Sequence, residues 1–80
     1  MNEFISNLDE TEKKELGTYL KESSFVDCDN IIITALTKLV TKYFRAHRET
    51  FSLSYYKLHE IAAKIYSGEF KTWTQIIKDL

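Results

Sequence analysis

Eighty residues suffice for one domain and no more, and a chain this short buries a smaller share of its surface than a longer one. A net charge of −1 argues against a generic nucleic-acid or membrane binder, and a single cysteine excludes an intrachain disulfide. No run approaches the ~20 apolar residues that a membrane span requires, and the N-terminal stretch is acidic, without the long apolar core of a signal peptide.

The sequence therefore predicts a single helical domain over 1–80, placed in the cytoplasm, where a lone thiol stays reduced. Proline is absent and the two glycines are isolated, so linker chemistry is scarce. Five phenylalanines, five tyrosines and one tryptophan are a rich aromatic supply for a small core. Small cores are often completed by oligomerisation, so a homodimer is an open alternative to a monomer. The absence of proline beside many Lys, Ile, Asn and Tyr residues suits an AT-rich gene, such as one from a phage or a low-GC bacterium.

In chain order, Phe4, Ile5 and Leu8 share one helical face and predict a short opening turn. Asp9 and Glu12 form a capping pair for a helix over 9–22, in which Leu16, Tyr19 and Leu20 repeat the i, i+3, i+4 spacing. Gly17 weakens that helix, and Ser23 and Ser24 end it. The next helix is capped by Asp27 or Asp29 and runs to about Arg48. Its apolar stripe of Ile32, Leu36, Leu39, Val40, Tyr43 and Phe44 is widened by Ile31, Ile33 and Ala35. This predicts a central helix covered on more than one side. The fold class that follows is all-α, a compact bundle of four main helices around this one.

Ser54 caps the following helix, Leu53 and Leu58 stand at the spacing of a hydrophobic staple, and Gly68 supplies the left-handed stop. Leu58, Ile61, Ala62 and Ile65 form its buried face. Thr72 and Gln75 cap a last helix whose Trp73, Ile76, Ile77 and Leu80 share a face. That helix is too short to stand alone, so it docks on the rest through Trp73, with Phe70 beside it.

Charge is unevenly distributed. Residues 1–30 carry eight acids against three bases, and residues 31–80 carry eight bases against four acids. The acidic segment is expected to fold onto the basic one.

Catalytic chemistry is poorly represented. His47 and His59 sit in no recognisable motif, no glycine-rich phosphate loop is present, and Cys28 reads as an inert thiol. His59-Glu60 lacks the second histidine of a zinc site, and Asp27 with Asp29 lacks the remaining oxygens of a calcium loop. No cofactor or metal is expected. Lys38, Lys42 and Arg45, spaced i, i+4, i+7 and extended by Arg48, form a basic stripe that could meet nucleic acid or an acidic partner. Tyr55, Tyr56, Tyr66, Phe70 and Trp73 are the candidate protein-binding aromatics. Adjacent tyrosines on a helix cannot both face inward, so Tyr55 or Tyr56 must be at least partly exposed.

Residues 36–80 also resemble the helical glyoxalase-related module. The resemblance is carried by Leu36-Thr37-Lys38-Leu39, Ser52-Leu53-Ser54, Leu58-His59-Glu60-Ile61-Ala62-Ala63, and Gly68 followed by Phe70-Lys71-Thr72-Trp73. Glu69 stands between Gly68 and Phe70, where the module has the two adjacent. The resemblance implies a helix–cap–helix–Trp arrangement and no glyoxalase chemistry, because the metal-binding strands of that enzyme fold are missing. Together these readings predict a non-enzymatic regulatory adaptor or inhibitor that binds a protein. The alternative is a small nucleic-acid-binding domain using the basic stripe.

Overall fold

The computed structural model describes residues 2–22, 28–47 and 53–79, and every regular element among them is helical. Five helices follow in order: α1 (Glu3–Ser6), α2 (Glu10–Glu22), α3 (Cys28–Ala46), α4 (Tyr55–Ser67) and α5 (Trp73–Asp79).

The helix starts are written in short polar side chains. The Asn2 amide oxygen accepts from the Ile5 N–H at the start of α1. At α2 the capping pair is reciprocal: Asp9 Oδ1 accepts from the Glu12 N–H at 2.7 Å, and Glu12 Oε1 accepts from the Asp9 N–H at 3.1 Å. Ser54 Oγ accepts from the Lys57 N–H at the start of α4. Thr72 Oγ1 accepts from the Gln75 N–H before α5, but Gln75 Oε1 reaches one residue further back than a standard box, to the Lys71 N–H at 2.6 Å. Gly68, at φ 92°, stops α4. Its N–H donates to the Ile65 carbonyl and the Glu69 N–H to the Lys64 carbonyl, the paired bonds of a Schellman stop.

α3 begins at Cys28, so Asp29 lies inside the helix rather than at its cap, and its last helical residue is Ala46, short of the expected Arg48. Asp27, Arg48, Ser23, Ser24 and Leu80 lie outside the described residues. α3 is nonetheless the element on which both long neighbours rest: its main packing is against α2 and against α4. Ala35, Leu36, Leu39, Val40 and Phe44 on α3 are buried with Leu16 of α2 and with Leu58, Ile61, Ala62 and Ile65 of α4. Phe4 of α1 and Ile76 of α5 close the same core, which makes one continuous cluster. The Ile31–Ile33 triplet, for all its strand propensity, is helical and half-buried. Ile77, expected on the docking face of α5, is exposed instead. The radius of gyration is 11.8 Å, near the ~12 Å of a folded chain this long.

Two asparagines fasten α1 to the far end of the chain. Asn2 Nδ2 donates to the Ile65 carbonyl at 2.7 Å, and Asn7 Nδ2 donates to the Lys71 carbonyl at 2.9 Å. The acidic half does meet the basic half: Glu15 pairs with Lys42 at 2.9 Å, Glu22 with Lys38 at 3.5 Å and Glu3 with Lys71 at 3.9 Å.

Candidate functional site

The outer face of α3 carries Thr34, Thr37, Lys38, Thr41, Lys42 and Arg45, which recur every three or four residues and so share one side of the helix. With Tyr19 of α2 and Tyr55 of α4 they line an open groove of about 500 Å³. The floor is more apolar than three threonines suggest. Thr37 Oγ1 donates to the Ile33 carbonyl and Thr41 Oγ1 to the Thr37 carbonyl, both at 2.7 Å. Each hydroxyl proton is thus spent inside the helix, and neither remains to donate to a ligand.

The cations of this face are not equivalent. Lys38 and Lys42 lean toward α2, where Glu22 and Glu15 neutralise them. The hydrogen bond with Glu15 holds the Lys42 ammonium above the usual lysine range, against a smaller opposing effect of desolvation. Arg45 is exposed and, among the described residues, has no acidic partner. Arg48, the fourth member of the expected stripe, lies outside the described residues.

The five candidate aromatics do not form one surface. Tyr55 and Tyr56 at the start of α4 are both exposed, at 65% and 86%, and Tyr66 is exposed at 40%. Phe70 is buried in the core, with the Lys64 ammonium 5.7 Å from its ring centre. A side chain packed there has no face to offer a partner. Trp73 is half-buried in an aromatic junction between helices. Its ring stacks on Tyr43 of α3 at 3.8 Å and 4°, meets Phe4 of α1 edge-on at 4.9 Å, and its N–H donates to Glu12 Oε2 at 2.9 Å. Both residues hold α5 and its approach to the bundle, and neither belongs with the exposed tyrosines.

Against protein-family models, curated proteins and solved structures, the chain matches nothing. Nothing in these comparisons bears on the likeness to the glyoxalase-related module. Among the described residues no group of three or more His, Cys, Asp or Glu side chains is arranged to hold a metal, and no helix is long and apolar enough to cross a membrane. His47 and His59 are exposed and stand apart in the chain, His47 just past the end of α3 beside Tyr43 and His59 within α4 beside Tyr55.

Sequence reasoning missed the groove as a unit. The basic stripe was visible, but its threonine floor and the Tyr19 rim were not. The repeat Thr34, Thr37, Thr41, at i, i+3, i+7 beside the basic stripe, is the signal that could have found the floor.

Proposed function

We propose that this chain is a non-enzymatic regulatory domain, an adaptor or inhibitor, that binds an acidic segment of a partner protein along the outer face of α3. One observation carries the reading. Arg45 stands without an acidic partner among the described residues, beside a groove whose floor is apolar and whose rims are tyrosines. A tyrosine rim supplies large contact area at low entropic cost, and an arginine offers a planar fork for a carboxylate. The reading takes α3 as the centre of the bundle, with the other helices set around it as support. A segment with small apolar residues toward the threonines and a carboxylate toward Arg45 meets both features.

A nucleic-acid role is the second reading, and the ion pairs weigh against it. Lys38 and Lys42 are already matched by Glu22 and Glu15, so among the described residues the stripe keeps one unmatched cation, Arg45. A phosphate backbone rewards many unpaired cations.

The test begins with affinity capture from the native cell, using the wild type and Arg45→Glu side by side. A protein retained by the first and lost by the second is purified and titrated against both by calorimetry. The expected loss on charge reversal is about tenfold or more in affinity. Equal affinity for both chains sinks the groove reading. Retention of a 30-base-pair duplex at low salt, weakening steeply as salt rises, would replace it with the nucleic-acid reading.

A further inference from the structure

The outward face of α4 carries a stripe that shares only Tyr55 with the groove. At about 100° per residue, Tyr55, His59 and Tyr66 fall within about 40° of one another around the helix, and Ala63 and Tyr56 complete an arc of about 100°. No Asp, Glu, Lys or Arg interrupts this arc. Its three tyrosines are exposed at 65%, 86% and 40%. Along one edge run Glu60 and Lys64, paired with each other at 3.5 Å. Along the other edge the helix descends into the core through Leu58 and Ala62.

We propose that this stripe is the interface of a homodimer in which α4 of one copy lies antiparallel against α4 of another, with the two-fold axis level with Ile61. Three properties of the stripe point to a second copy of this chain. The first is size. An antiparallel pairing centred on residue 61 sets position 59 opposite 63 and position 56 opposite 66. His59 then faces Ala63 of the other copy, large against small, and this occurs twice because the contact is isologous. Tyr56 faces Tyr66, also twice. The second is charge. The two-fold axis brings like edge to like edge but reverses their direction, so Glu60 of one copy lies beside both Lys64 and Glu60 of the other, two attractive contacts against one repulsive. A parallel pairing would instead lay this charged edge beside the apolar edge of Leu58 and Ala62 on the other copy. The third is area. The three tyrosines expose nearly the surface of two whole ones, roughly 300–450 Å² per copy at ~150–250 Å² each. Doubled, and extended by His59, Ala63 and the stems of Glu60 and Lys64, this approaches the ~1,000 Å² at which specific interfaces begin. The dimer is accordingly a weak one.

This inference does not rest on the groove. Arg45 and the threonine floor lie on α3, and Tyr55 is the one side chain that the groove and the α4 stripe share.

Sedimentation equilibrium of the full chain, from about 5 µM to about 1 mM, should show the mass rising from monomer to dimer. Tyr56→Glu, at a side chain too exposed to be needed for folding, should hold the mass at monomer through that range. Lys14→Glu, on the exposed side of α2, should dimerise as the wild type does. Orientation is read by mild oxidation of a mixture of two chains, one bearing His59→Cys and the other Ala63→Cys, both with Cys28→Ser. With the two chains in equal amounts, the mixed cross-link should exceed the two self cross-links together, which random pairing would only equal. A monomeric wild type at about 1 mM overturns the inference, as does a dimer indifferent to Tyr56→Glu. An excess of self cross-links overturns the antiparallel pairing. A monomer whose captured protein partner is lost on Tyr56→Glu assigns the stripe to that partner and overturns the dimer.

Discussion

The Trp73 indole makes two kinds of contact at once, a hydrogen bond to Glu12 and a stack on Tyr43, and substitutions can separate them. Trp73→Phe keeps an aromatic ring and drops the N–H, and should lower unfolding stability by about 1 kcal/mol. Trp73→Ala removes the ring as well and should cost about 3 kcal/mol. Urea denaturation followed by circular dichroism measures both, and equal losses would mean that the stack contributes little. The two glycines should behave in opposite ways. Gly17 sits within α2, and a Cβ there would meet nothing within 4 Å. Gly17→Ala should therefore stabilise by about 0.5–1 kcal/mol and raise the melting temperature by several degrees. Gly68→Ala forces an L side chain to φ 92° and should destabilise by about 1 kcal/mol. At this scale the sequence was informative about local roles. The Gly68 stop and the docking role of Trp73 follow from spacing, whereas Glu12 as the acceptor of Trp73 lies 61 positions away and leaves no local signal.

Between neighbouring helices, the ion pairs of α2 with α3 set a pH dependence of definite sign. Lys42 holds its proton more tightly in the folded chain because Glu15 hydrogen-bonds to it. That contribution is complete below the ordinary lysine range and is lost only as pH rises through the higher folded value. Lys42→Met should therefore differ slightly from the wild type at neutral pH, with the difference fading only in strongly alkaline solution. Chemical denaturation at pH 7 and in that alkaline range checks the sign; a difference that grew with pH would contradict it. Helix starts were legible because caps are local chemistry: Asp9 with Glu12, Ser54 with Lys57 and Thr72 with Gln75 each act across three residues. Helix ends were less so. The basic cluster at the end of α3 suits a long helix, yet the last helical residue is Ala46. The face of α5 was half legible: Ile76 is fully buried, whereas Ile77 turns partly to solvent because only one side of a two-turn helix meets the bundle.

Over the whole molecule, α3 packs against both α2 and α4, and the all-α class followed from apolar residues spaced three and four apart. The groove did not, because it exists only once α2 and α4 take positions on either side of the threonine repeat. The aromatics show the same limit. Composition announced a surplus, but sequence could not divide it into core (Phe70), junction (Trp73) and exposed stripe (Tyr55, Tyr56, Tyr66), since that division depends on where α4 meets α3. The two asparagines that fasten the opening turn to the Ile65 and Lys71 carbonyls bear on how the chain acquires its shape during synthesis. Residues 2–7 find these partners only when those near 65 and 71 have emerged from the ribosome. Local helices can form early, but the closing of this loop waits for those later residues and carries the entropic cost of a long ring. Truncation anywhere before Ile65 would therefore leave α1 without a resting place.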